Sequence, residues 1–196
     1  RLFLFDAGEN TLRNLESSYV PVSGISDVFI THWHSDHFNG LGGVINHSWL
    51  NGRKTPLTVY GPPGVEDIVA SYAKIYALDI DYRHTHFVAQ PELATARAQT
   101  VKIPSDAESV TIYERDGVRI EAYRVAHQPV EPAYGYVVRY AGKKVFISGD
   151  TRVADIYLPA MQDAGRVVHE ATSREVMQRA AKVRTEDGRP QDALPT

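Results

Sequence analysis

The segment Thr31-His32-Trp33-His34-Ser35-Asp36-His37 constrains this chain more than any other stretch, because it follows directly on the apolar run Val28-Phe29-Ile30. A short apolar run reads as a buried strand, so the imidazoles and carboxylate behind it stand on a loop launched from the core. Borderline divalent metals such as zinc take neutral imidazole nitrogen and carboxylate oxygen as ligands. A loop with four such donors can supply half the ligands of two adjacent ions. One histidine here would pass as structural. The H-x-H-x-D-H pattern does not.

Strands, helices and hairpins are mixed along the rest of the sequence. Leu2 to Phe5 reads as a strand ended by Asp6-Ala7-Gly8, and Thr11 to Ser18 as a short helix. Leu57 to Tyr60 is a strand stopped by the turn signal Gly61-Pro62-Pro63-Gly64. Val65, Ile68, Val69, Tyr72, Ile75 and Tyr76 fall at helical spacing within Val65 to Leu78. Asp116-Gly117 marks a hairpin between Val110 to Tyr113 and Val118 to Val125. Ala141-Gly142 turns a second one between Tyr134 to Tyr140 and Lys144 to Ser148. Val167-Val168 is a short strand, Arg174 to Lys182 a helix, and Thr185 to Thr196 a polar tail read as loop. With no repeat or linker, residues 1–196 read as a single α/β domain layered around sheets.

Composition narrows the partners. A net charge of −3 gives no global basic field to recruit nucleic acid or an anionic membrane. No apolar run approaches a membrane span, and no signal-peptide pattern is present. Without cysteine there are no disulfides and no thiolate ligands. The opening Arg1-Leu2-Phe3-Leu4-Phe5-Asp6 reads as the middle of a strand, so the domain is expected to be truncated at both ends. With the native N-terminus out of view, a cytoplasmic and an exported, periplasmic location both stay open.

Two further donors sit at strand ends. His127 follows Ile120 to Val125, and Asp150 follows Val145-Phe146-Ile147-Ser148-Gly149. Ligands placed where several strands finish converge on one sheet edge. Together with Phe5-Asp6-Ala7-Gly8 and Ser148-Gly149-Asp150-Thr151, they make the chain resemble the metallo-β-lactamase superfamily over most of its length. That resemblance implies an αββα sandwich of two sheets between outer helices. It also implies that His32, His34 and His127 hold one metal, that Asp36 and His37 hold a second, and that Asp150 bridges them. Val59-Tyr60-Gly61-Pro62, Tyr134-Gly135-Tyr136 and His169-Glu170-Ala171-Thr172 are similar to the ribonuclease Z-like and arylsulfatase-like branch.

This resemblance implies a binuclear metal-dependent hydrolase. Two divalent ions, zinc foremost with manganese or iron as alternatives, would generate a bridging hydroxide at neutral pH. Asp36 would orient that nucleophile or take its proton. The branch departs from this chain in two places. It normally carries one more metal-binding histidine after the His-Glu-Ala-Thr segment, yet no histidine follows His169. Its tRNA-processing members carry a long arm where this chain has only a hairpin between His127 and Asp150. The expectation is therefore a small-molecule sulfate, phosphodiester or carboxylic ester substrate. Nucleic acid and membrane are not expected partners, and a homodimer is compatible with the branch. The alternatives are an RNA phosphodiesterase of the tRNA 3′-processing type and a non-catalytic metal-binding scaffold.

Plainer readings cover the remaining residues. Asp6 and Gly8 brace the site rather than touch metal. Thr31, Ser148 and Thr151 are expected to fix the ligand rings, and His169 and Glu170 to stand behind the ligands or at the pocket. His84 and His86 alternate in Arg83-His84-Thr85-His86-Phe87 and so share one face of an extended segment, more plausibly a solvated edge than a third metal site. His47 packs or is solvated, and Trp49, Tyr72 and Tyr76 belong to core or cleft wall.

Overall fold

The structure is a computed structural model that describes residues 1–86 and 90–186. The expectations for Phe87 and for the tail beyond residue 186 fall outside these residues.

Strand alternation builds three apolar layers. β1 (Leu2–Phe5), β2 (Ile25–Phe29), β3 (Leu57–Gly61) and β4 (Ala96–Thr100) form a parallel sheet in that order. On one face Val28, Leu57 and Val59 join Ile30, just beyond β2, in packing under helices. These are α1 (Thr11–Ser17), α2 (Ser35–Phe38), α3 (Leu41–Leu50) and α4 (Val65–Ile75), and they contribute Leu12, Leu15, Phe38, Val44, Ile45 and Val69 to that layer. On the other face Phe3, Phe5, Phe29 and Tyr60 meet the second sheet. Its strands are β5 (Ser109–Arg115), β6 (Val118–Arg124), β7 (Tyr134–Tyr140), β8 (Lys143–Ile147) and β9 (Arg166–Val168), antiparallel except for the parallel pair β8·β9. Ile120, Ala122, Tyr134 and Tyr136 point inward, while Tyr123, Val137 and Phe146 pack outward with Tyr157 and with Ala160 of α6 (Leu158–Met161). α5 (Ala77–His86) and α7 (Arg174–Glu186) complete the elements. The layering is the expected αββα sandwich.

Several elements differ from the sequence reading. The helix expected over Val65 to Leu78 breaks after Ile75, and α5 then runs to His86. His84 and His86 therefore do not share a face of an extended segment. Two positions along a helix turn through about 200°, and both rings are exposed. β4, with the sequence Ala-Arg-Ala-Gln-Thr, carries too little apolar contrast to announce itself. α3 is buried on most sides, including Leu41, Val44, Ile45, Ser48 and Trp49, so it lacks the one-sided pattern that marks a surface helix. α7 continues through Glu186, past the expected end at Lys182.

Phe29 is the hinge of the inter-sheet layer. It is fully buried and stacks on Phe5 at 5.0 Å and on Tyr60 at 4.7 Å between ring centroids. Phe29→Ala is expected to lower stability by about 3–5 kcal/mol in urea denaturation. Val167→Thr, on the exposed β9, is expected to stay within about 0.5 kcal/mol.

Candidate metal centre

β2 ends at Phe29, and the chain passes through Ile30 into the loop that carries the histidines. Tyr136 holds the strand end, its buried hydroxyl donating to the Ile30 carbonyl at 2.6 Å. The Tyr134 N–H donates to the Thr31 carbonyl at 3.0 Å. The Tyr-Gly-Tyr strand of the second sheet is thereby tied to the metal loop of the first. Sequence reasoning noticed that tripeptide and missed this role, since only a cross-sheet contact reveals it.

Asp6 organises the loop from beneath. Its carboxylate accepts from the Thr31 N–H at 2.8 Å, from the Thr31 hydroxyl at 2.9 Å and from His37 Nδ1 at 2.8 Å. With its proton committed to Asp6, the Thr31 oxygen accepts from His32 Nδ1 at 3.0 Å. This network assigns the Nδ1–H tautomer to His32 and leaves Nε2 unprotonated, with its lone pair available. Gly8 lies so close to the same loop that an added Cβ would sit 1.9 Å from the Asp36 carbonyl oxygen, so glycine is needed there by space alone.

The other donors arrive from the second sheet. β6 ends at Arg124, three residues before His127, and β8 at Ile147, three before Asp150. Thr151 sits between the two segments, its hydroxyl accepting from the Ala126 N–H at 3.1 Å. Glu170 accepts from the Thr151 N–H, and its own N–H donates to Ser148 Oγ at 3.1 Å. Thr151, Ser148 and Glu170 thus brace the backbone that presents His127 and Asp150. His169 has both nitrogens engaged, with the Glu170 carbonyl at 2.9 Å and the Tyr157 hydroxyl at 3.3 Å.

One ligand atom from each of His32, His34, His127 and Asp150 lies within 4.8 Å of all the others. His34 Nδ1 is 3.0 Å from His32 Nε2 and 3.2 Å from His127 Nε2. Tetrahedral zinc with Zn–N bonds near 2.0 Å places its ligands about 3.3 Å apart. His32 Nε2 offers a lone pair, and with His34, His127 and Asp150 converging on it the donor set fits a divalent metal. Beside it, His37 Nε2 is 3.3 Å from Asp150 and 3.7 Å from Asp36. Asp36, with a side chain 75% exposed, stands at the open rim of the group. All six sequence-designated donors therefore meet at one sheet edge.

The imidazoles divide electrostatically. Burial, with His37 and His127 close by, pushes the His32 pKa down to about 3, so it is neutral and ready to coordinate. Burial also pulls on His37, but hydrogen bonds and charge from Asp150 and Asp6 outweigh it and lift its pKa to about 10. The His37 contact in turn holds the Asp150 carboxyl below its ordinary value.

Residues 1–187 match a family profile described as the Metallo-beta-lactamase superfamily. A curated relative named ribonuclease Z, from Mycobacterium marinum, is 31% identical over 190 residues, covering 95% of this chain and 66% of the relative. Another of that name, from Mycolicibacterium paratuberculosis, is 30% identical over the same shares. The chain thus spans just under two thirds of these relatives. Among solved structures, human tRNase Z, short form, aligns with a TM-score of 0.71 at 27% identity over 92% of this chain and 71% of that one. These likenesses overturn the expectation of a small-molecule ester partner with nucleic acid set aside. That expectation leaned on the short interval between His127 and Asp150 and on a net charge of −3, which is a sum over the surface and does not describe any one face.

His34→Ala is expected to abolish tight metal binding, read as metal per chain after dialysis; undiminished content would refute the ligand assignment. Metal-free protein should lose stability as pH rises. The His37 pKa is raised on folding, so its contribution is complete below about 6.5 and vanishes as pH passes about 10. Denaturation midpoints between pH 6 and 10 should fall for the parent chain and flatten for His37→Gln.

Proposed function

The chain belongs to the metallo-β-lactamase superfamily, and we propose that it is a metal-dependent phosphodiesterase acting on RNA, of the ribonuclease Z type. The observation that carries this reading is the convergence of His32, His34, His127 and Asp150 at one sheet edge in a chain 30–31% identical to proteins named ribonuclease Z. His32, His34 and His127 would hold one divalent ion, Asp36 and His37 a second, and Asp150 would lie between them. Zinc is the proposed metal. Bound divalent ions supply Lewis acidity toward a phosphoryl oxygen and a nucleophilic water at neutral pH.

The chain's own residues do the rest. Asp6, holding Nδ1 of His37 and the N–H and hydroxyl of Thr31, fixes the ring orientation of His37 and, through the Thr31 hydroxyl, that of His32. Such partners behind the ligands govern metal affinity by about 10- to 100-fold. Asp36, exposed at the rim, orients the attacking water and accepts its proton on a carboxylate oxygen. His169 is already committed to Tyr157 and the Glu170 carbonyl, so it is not assigned the leaving-group proton.

The test is incubation of zinc- or manganese-loaded full chain with a 3′-extended tRNA precursor. Endonucleolytic cleavage is expected, and Asp36→Ala should cut kcat by about 100-fold or more. Absence of RNA cleavage would overturn the RNA reading, and two metals per chain with no hydrolysis of RNA or of any activated ester would favour a metal-binding scaffold.

A further inference from the structure

The end of the second sheet remote from the metal centre carries an unusual row of charge. Arg119 on β6 is directly opposite Arg139 on β7, and Arg139 is directly opposite Lys144 on β8. Directly opposed like charges destabilise a sheet, so three cations in register across three strands carry a cost. Two carboxylates offset part of it. Glu121, nearly buried, takes Arg139 at 2.8 Å and Arg119 at 3.2 Å, and Glu114 on β5 lies opposite Arg119. Lys144 donates to the Gln162 carbonyl at 2.6 Å. Lys143, at the start of β8, is exposed beside the row. The four cations line a cavity of about 580 Å³ together with the tip of the β7–β8 hairpin and residues around α6, among them Asp163.

Arg119, Arg139 and Lys144 share the outward face with Tyr123, Val137 and Phe146 but lie beyond the apolar patch covered by α6, while Lys143, one position earlier on β8, lines the same cavity from the strand end. Neighbouring strands are about 4.8 Å apart, so the row extends about 10 Å. One small anion occupies one or two cations; a line of them matches a chain of charges. β6, β7 and β8 bear the row at the ends opposite those leading to His127 and Asp150. A seven-residue strand such as β7 separates the two places by about 20 Å.

We propose that this face is a phosphodiester-backbone contact for RNA, gripping the substrate at a distance from the site of cleavage. The inference rests on the RNA-directed reading given above. It supplies a grip that does not depend on an arm between His127 and Asp150, and it is consistent with a negative overall charge because the cations are gathered on one face. Burial, and after it the facing Arg139, hold the Lys144 pKa below its ordinary value.

The test uses the full chain and the variant Arg119→Gln/Glu121→Gln/Arg139→Gln/Lys143→Gln. It removes three cations together with the carboxylate that two of them satisfy, so no buried charge is stranded. Binding of a labelled tRNA precursor is measured from 50 to 200 mM salt, alongside hydrolysis of bis-p-nitrophenyl phosphate. Each lost phosphate contact should flatten the plot of log K against log salt by about 1, about 3 in all, and low-salt affinity should fall by about 10-fold or more. Hydrolysis of the small diester should be unchanged. Arg119→Lys/Arg139→Lys should keep near-parental RNA affinity. Equal affinity and slope for parent and variant would overturn the inference while leaving the RNA reading intact. So would a variant that loses only inorganic phosphate binding. Failure of the parent to bind RNA would remove both.

Discussion

The carboxylate of Asp6 is the contact on which the site depends. It receives three hydrogen bonds from the segment after β2, and two of them reach imidazoles of the cluster, one directly and one through Thr31. A carboxylate at this place does two jobs. It orients the rings of His37 and, through Thr31, of His32, and alongside Asp150 it lifts the His37 pKa against the pull of burial. Its geometry comes from the turn after β1, where Asp6 has a φ of 57° and its N–H bonds the Phe29 carbonyl. The first strand thus sets the orientation of ligands that lie some thirty residues later.

The donors were legible because they are chemically unmistakable and locally dense: His32, His34, Asp36 and His37 fall within six consecutive positions. His127 and Asp150 were legible as residues just past apolar strands. What the sequence did not disclose were relations that exist only in three dimensions, such as the Tyr136 hydroxyl beneath Ile30 or the Glu170 carboxylate under Thr151. The same limit explains His84 and His86. Alternation in a short polar stretch is equally compatible with strand and helix, and the helix was decided by continuation from α4. β4 was missed because an edge strand of alanine, arginine, glutamine and threonine relies on its pairing with β3 rather than on its own pattern.

Charge shows the complementary error. A single total of −3 suggested indifference to polyanions, yet cations are ordered by the sheet into a row that no window of sequence contains. Arg119, Arg139 and Lys144 are scattered along the chain and become neighbours only through the register of β6, β7 and β8. Field strength is a property of arrangement, and composition averages it away.

The ligand cluster draws on both sheets, with His32 and His34 from one and His127 and Asp150 from the other. An ion seated there binds the docked pair of sheets and has no comparable partner in the unfolded chain. By mass action, free metal at 100 times its dissociation constant would make the folded state about 2.7 kcal/mol harder to undo. The abundance of intact protein then becomes tied to the ambient supply of the ion, so that metal starvation would thin the population of molecules before any question of turnover arises.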